Sequence, residues 1–423
     1  MKNSNIQWIG EIPDDWEVHP LFCYFSERKN KNTRGAENNL LSLSYGKIVR
    51  KDINTREGLL PESFNTYNII EKDDIIIRPT DLQNDKRSLR TAIAKEHGII
   101  TSAYIALKSN NEDVNPDFFH YLLHTYDIMK VFYNMGNGVR QGLNYSEFSK
   151  LLVCVPPLAT QTSIATYLDA KCSEIDGLIA DINKQIETLN ELKKSTITEA
   201  VTKGLNKNAK LKDSGIQWIG MIPEGWSVTK VKYIVENPLQ YGATESGVDF
   251  DDKLPRYIRI TDIIDNRLKD EGKLSLTELQ SKGFILKDND ILFARSGGTV
   301  GKTFIYRQKY GKSAFAGYLI RATISKSNNA DFVYYYTLSN CYDNWKSMIF
   351  TQATIQNIGA DKYNNLLISL PPLTEQQSIA TYLDSKCSEF DSIISDKQKQ
   401  ISTLEAYKKS LIYEYVTGKK KVE

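Results

Sequence analysis

The chain has 423 residues, 41% of them hydrophobic and 25% charged, and a formal net charge of +2. That length allows roughly two to four domains with real cores, and there is no run of about 18 uncharged apolar residues to span a bilayer, so no membrane partner is expected. Five cysteines, an odd number with no Cys-x-x-Cys pair, argue against a disulfide framework, and the opening MKNSNIQW lacks an apolar signal core; reduced cytoplasm is the expected compartment.

In chain order the first element is the block NIQWIGEIPDDW at residues 5–16, which returns as GIQWIGMIPEGW at residues 215–226, an offset of 210. PPLATQTSIATYLDAKCSEID from Pro156 likewise returns from Pro371 as PPLTEQQSIATYLDSKCSEFD, an offset of 215. The chain is therefore two half-length units whose constant frames hold inserts that hardly resemble each other. Such a frame suggests a reader of two unlike targets at a fixed separation. From Arg28 to Lys108 there are 15 Lys and Arg against 10 Asp and Glu, and from Lys230 to Lys326 there are 17 against 12. Ala159 to Lys203 has 5 basic and 7 acidic residues. Attraction to a phosphate backbone thus belongs to the inserts.

Within the first insert, DDIIIRPTDL predicts a buried strand before a polar turn, TSAYIALK a further strand, DFFHYLLHTYDIMKVFY a helix and KLLVCVPPL a strand. Pro156-Pro157 closes it, and a long helix follows from about Ala159 to about Lys203, roughly 65 Å at 1.5 Å per residue. Ile175, Ile179, Ile182, Ile186 and Leu189 lie on one seam of it. GLNKNAKLKDS, residues 204–214, reads as a linker. The second insert repeats the order with NDILFARSGG, FAGYLIRAT, DFVYYYTLSNCYDNWKSMIF and NLLISLPPL, then a second long helix with Phe390, Ile394, Ile401 and Leu404 on its seam and Lys397 where the first has Ile182. Each seam needs a cover, and the nearest candidate is the other helix.

Several short motifs do not amount to active sites. SGGTVGKT, Ser296–Thr303, has Ser where a phosphate-binding P-loop has its first glycine, and the strand-like TFIYRQ follows instead of a helix; its glycines serve a tight turn bringing Arg295, Thr299 and Lys302 near a ligand backbone. Pro13-Asp14 with Glu27-Arg28-Lys29 spells the degenerate string of many metal-dependent nucleases, yet Pro13-Asp14 belongs to the repeated opening block, which favours a structural role. His120 and His124, at i and i+4, lack the glutamate of His-Glu-x-x-His and have Tyr334 and Leu338 as repeat mates, so they read as core-edge residues and no metal site is expected. No catalytic residue is expected, and neither the glycine-rich loop nor the Asn/Asp-Pro-Pro-aromatic tetrapeptide of an adenine methyltransferase is present.

Taken together, the WIG-x-IP-x-x-W opening, FARSGGTVGK, the twice-used PPL-x-x-Q-x-SIATYLD block and the KKS-containing helices resemble the specificity subunit of bacterial type I restriction-modification systems over essentially the whole chain. The resemblance implies an α+β chain with two homologous mixed α/β target-recognition domains in pseudo-symmetric tandem, separated by two long antiparallel coiled-coil spacer helices. The expected division is 1–155 for the first recognition domain, 156–204 for its spacer helix, 205–226 for the linker and second opening block, 227–370 for the second recognition domain, 371–418 for its helix and 419–423 for a basic tail. Also implied are double-stranded DNA as target, two methyltransferase subunits and restriction/translocase subunits as partners, and no cofactor in this chain, with S-adenosylmethionine, ATP and Mg belonging to the partners.

Base reading needs side chains with paired donors and acceptors beside cations that hold phosphates. In the first insert the candidates are Arg78, Thr80, Gln83, Asn84, Lys86, Arg87 and Arg90 in one loop, and Arg140, Gln141 and Asn144 in another. In the second they are Arg295, Ser296, Thr299 and Lys302, then Gln352, Thr354, Gln356 and Asn357, with Arg259, Thr261 and Asp262 at a further strand end. The alternatives are a helical adaptor that bridges proteins without reading DNA, or an enzyme using Glu27 and Lys29.

Overall fold

The computed structural model describes residues 1–54, 63–82, 89–135, 142–264, 266–351 and 357–422. They form two compact units, one of residues 1–182 with 399–423 and one of residues 183–398.

In the first unit the strand Glu17–Pro20 pairs antiparallel with Leu152–Val155, Glu17 opposite Val155 and Pro20 opposite Leu152. This pairing joins the repeated opening block to the segment that enters Pro156-Pro157, so the two constant parts of the sequence are neighbours in space. The insert between them builds a four-stranded sheet in the order Phe25–Glu27, Ile105–Ser109, Ile75–Ile77, Thr91–Ile93. Helix Pro116–Ile128 opens on Asn115, whose side chain accepts from Phe118 N, with proline in its first turn. Its buried residues Phe118, Phe119, Leu122 and Tyr126 share a core with Trp16, Phe25, Leu168 and Val416.

The second unit repeats the plan. Ser227–Lys230 pairs with Leu367–Leu370, and Gln240–Tyr241, Leu319–Ala322, Ile291–Ala294 and Thr303–Ile305 form a sheet of the same order. What differs is the chain between the edge strand and its neighbour in the sheet, Ile105–Ser109 or Leu319–Ala322. The first unit has two short ribbons there, Leu41–Ser44 with Lys47–Arg50 and Asn68–Ile70 with Gly98–Ile100. In the second, a further sheet uses Val248–Asp249, Leu274–Ser275, Arg256–Ile258 and Ser313–Phe315, the last two parallel. One scaffold carrying different additions explains why the inserts share so few letters.

The long helices run Leu158–Lys203 and Leu373–Val416, 46 and 44 residues. Each ends in a glycine at positive φ, Gly204 at 73° and Gly418 at 71°, a left-handed cap that suits a residue without Cβ. Within the first unit, the Tyr167 and Tyr415 rings meet at a tilt with centroids 4.6 Å apart and Lys408 binds Asp176 at 2.7 Å, which makes the pairing antiparallel. Within the second, Lys193 binds Asp391 at 2.6 Å and Lys397 donates to Gln185, again antiparallel. Lys193 and Lys408 are repeat mates, as are Asp176 and Asp391, so one pair of letters closes the helix pair in each unit. Lys397, the interruption in the seam, is accommodated through that Gln185 contact.

Other repeated letters have equally local reasons. Gln161, 1% exposed, accepts from Asn115 N at 2.9 Å and donates to Pro156 O at 3.0 Å; Gln376, also 1% exposed, accepts from Asn329 N at 2.8 Å and donates to Pro371 O at 2.9 Å. Tyr121 donates to Asp169 and Tyr335 to Asp384, clamping the insert helix onto the long one. No helix of the described residues is long and apolar enough to cross a membrane.

Candidate nucleic-acid interface

Each unit begins its central strand from a turn closed by a buried carboxylate. Asp74 accepts from Glu71 N and pairs with Arg28, while Asp290 accepts from Lys287 N and Thr323 Oγ. Desolvation raises both carboxyls above their ordinary range, against these hydrogen bonds. The strand is thereby fixed at its base, and its far end presents the candidate loops.

At that far end in the first unit, Leu143 N donates to Pro79 O at 3.0 Å, which brings the loop after Ile77 against the loop before Tyr145. In the second unit Ile358 N donates to Arg295 O at 2.8 Å, and Ser296 bridges Asn357. The bond is the same and the residues differ. Pro79 and Arg295 therefore occupy one scaffold position. The turns beyond them close alike, with Arg78 N on Arg90 O and Ala294 N on Lys302 O, both at 2.8 Å. Thr303–Ile305 then continues as a strand, so the glycine-rich turn of the second unit opens no helix.

The first unit has a cleft of about 360 Å³ at this meeting point, lined by Glu27, Lys29, Pro79, Ser102, Tyr104 and Asn144 among others. Lys29, 71% exposed, pairs with Glu27 at 2.9 Å. Asn144 caps the short helix Tyr145–Phe148 by accepting from Glu147 N, and is itself exposed. Thr80 is exposed and Arg78 half-buried. Asp14 of the nuclease-like string binds the N-terminal ammonium instead of joining Glu27 and Lys29.

In the second unit the corresponding place is aromatic. The Arg295 guanidinium lies over the Tyr241 ring, 5.1 Å from its centroid, and Arg295 N donates to Tyr318 O. Tyr241 Oη accepts from Ala360 N at 2.9 Å, and Tyr363 Oη donates to Ala294 O at 3.1 Å. These bonds fix the strand end and the loop entering Ala360–Asn364 together. Lys302 and Asn357 are exposed, Ser296 and Thr299 half-buried.

Three expected contacts need correction. Arg90 has 0% exposure: its terminal nitrogens donate to Thr80 O at 2.6 Å and Asp81 O at 2.9 Å, and its backbone N–H binds Asp127. Burial raises the Asp127 carboxyl, and Tyr133 also donates to it. Arg90 thus shapes the turn from inside instead of reaching out of it. Asp262, 2% exposed, accepts from Arg259 Nε at 3.0 Å and Nη2 at 2.8 Å, while Arg259 also donates to Gly272 O. Their charges are spent on each other; between them only Thr261 is exposed. Gln83, Asn84, Lys86, Arg87, Arg140, Gln141, Gln352, Thr354 and Gln356 lie outside the described residues.

Tyr241, Tyr318, Glu27 and Lys29 belong to this surface and were not expected there. The available signal was an aromatic beside a glycine at a strand end, in Tyr241-Gly242 and Gly317-Tyr318, where tight backbone approach leaves a ring at the rim.

A family model for the type I restriction modification DNA specificity domain matches residues 29–188 and 223–403. The chain is 26% identical over 423 residues to the type I restriction enzyme MjaVIII specificity subunit of Methanocaldococcus jannaschii, covering 97% of this chain and 94% of that one. It is 24% identical over 354 residues to the EcoBI specificity subunit of Escherichia coli, covering 82% and 71%. Among solved structures, a chain described for complex assembly and conformational transition of the type I R-M system superposes with a TM-score of 0.70 at 15% identity, covering 96% and 98%. The HsdS subunit from Thermoanaerobacter tengcongensis gives 0.50 at 14% identity, covering 99% and 100%. With one match in each half and a frame that repeats residue by residue, the chain belongs to the type I restriction-modification DNA specificity family.

Proposed function

We propose that this chain is the non-catalytic subunit that gives a type I restriction-modification complex its DNA sequence specificity, reading an asymmetric target of two unlike half-sites. The observation that carries this is the scaffold position occupied by Pro79 beside a Glu27–Lys29 cleft in one unit and by Arg295 on Tyr241 in the other. One frame offering two chemistries suits two different short sequences, and the basic excess of both inserts suits the phosphates between them. Two methyltransferase subunits and restriction/translocase subunits would act where this chain directs them, on adenine for methylation. S-adenosylmethionine, ATP and Mg²⁺ would be bound by those subunits.

Single-molecule sequencing of native DNA, from cells with and without this gene but with its partner subunits expressed, tests the reading. The expected result is one split, asymmetric methyl-adenine motif that disappears with the gene. An unchanged methylome would overturn it and favour a protein-bridging adaptor.

A further inference from the structure

Of the six arginines in the second unit, four spend their guanidinium groups on this chain. Arg256 donates to Lys269 O, Arg259 to Asp262 and Gly272 O, Arg307 to Asn289 and Asp331, and Arg321 to Ile285 O and Gln240. Arg267 is exposed in a hairpin, with no ring beneath it among the described residues. Arg295 is different from all of these. Its guanidinium rests on the Tyr241 ring, its Nε is enclosed without a hydrogen-bond partner, and its terminal nitrogens meet no acceptor among the described residues.

An enclosed Nε without a partner costs free energy that a ligand taking up the guanidinium's donors would offset. The platform is itself held, since Tyr241 Oη accepts from Ala360 N and Arg295 O accepts from Ile358 N. A planar guanidinium matches two acceptors side by side, as guanine N7 and O6 are in the major groove. Lys302, exposed on the same turn, supplies the less directional charge that a phosphate needs.

Resting on the specificity reading above, we propose that Arg295, lying over the Tyr241 ring, reads the guanine of a G·C pair in the half-site recognised by the second unit. Lys29 stands two residues beyond Glu27, which pairs with Leu107, and so lies level with Ile105, the partner of Ile77; Tyr241 pairs with Ile320, the partner of Phe293, which matches Ile77. The first unit therefore has lysine and Pro79 where the second has the ring and Arg295. Proline has no side-chain donor, so this guanine contact belongs to one half-site alone.

The test uses the full chain with its methyltransferase partner and reads the methylated motif by single-molecule sequencing. The wild-type motif should contain a G·C pair in the half that residues 227–370 determine. Arg295→Ala should relax that single position, with discrimination falling roughly tenfold to a hundredfold, while the other half keeps its sequence. Arg295→Lys keeps the charge and a donor but not the planar fork and should relax the same position less than Arg295→Ala, and Tyr241→Phe, which keeps the ring, should relax it less than Tyr241→Ala. The proposal is overturned if Arg295→Ala preserves the wild-type motif, if both Arg295 variants melt like wild type yet lose methylation uniformly, or if that half contains no G·C pair. A wild-type chain that confers no split motif would instead sink the specificity reading itself.

Discussion

His120 and His124 lie one helical turn apart, ring centroids 6.1 Å from each other, each half-buried with its Nδ1 enclosed and lacking a hydrogen-bond partner among the described residues. Burial depresses both, helped for His120 by His124 and Lys95 and for His124 by Lys408, Lys409 and Lys130; the values fall to about 3 and about 4. Asp117, Asp169 and Asp176 line the same cleft without reversing this. Both histidines are neutral in the folded chain and take up protons near the ordinary value of about 6.5 when unfolded. The stability they contribute is therefore complete above about pH 6.5 and declines as pH falls toward their folded values. Each should cost roughly 2 kcal/mol by about pH 5. Replacing them by the residues of the second unit, His120→Tyr and His124→Leu after Tyr334 and Leu338, should flatten this decline in thermal melts across that range. Equal slopes for variant and wild type would show that these rings do not govern it.

At the scale of elements, the repeated letters were the legible part, because each makes a short-range bond that the same neighbours always supply. Gln161→Ala would strand Pro156 O and Asn115 N at a buried site, and Gln376→Ala would do the same to Pro371 O and Asn329 N. Each should destabilise its unit by about 2–3 kcal/mol in urea unfolding, against less than about 0.5 kcal/mol for the exposed neighbour Thr162→Ala. If the two glutamine variants unfold like the threonine control, the bonds are incidental. The helix seams, the succession of strands and helices along the chain and the turn at Ser296 were likewise readable, since each is encoded in local periodicity or local glycine. The recognition surface was less so. Whether Arg90 points inward or outward depends on which way a polar turn folds over Asp127, 37 residues away. Nothing local says that Tyr241 and Arg295, 54 positions apart, will stack. Glu27 and Lys29 stood out for a nuclease pattern, and their place at the cleft follows from sheet pairing that no run of letters spells.

For the whole molecule, the division between frame and insert carries its own prediction. The frame residues Trp226, Glu375, Gln376 and Asp384 contact one another or the insert through main-chain atoms and a few tyrosines: Trp226 Nε1 donates to Glu375, Gln376 accepts from Asn329 N, and Asp384 accepts from Tyr335. A foreign insert needs to supply those partners, the ones that Lys194, Thr198 and Val201 of the first long helix find in Asp343, Asn340 N and Ser369, and the two strands that match Ser227–Lys230 and Leu367–Leu370. Replacing residues 227–370 by the corresponding insert of another specificity chain should therefore yield a folded protein. Its methylated motif should change in one half only, with the other half and the intervening spacing kept. A chimera that melts like wild type but alters both halves would mean that base reading is shared between the inserts, and the picture of independent readers on a common frame would have to be abandoned.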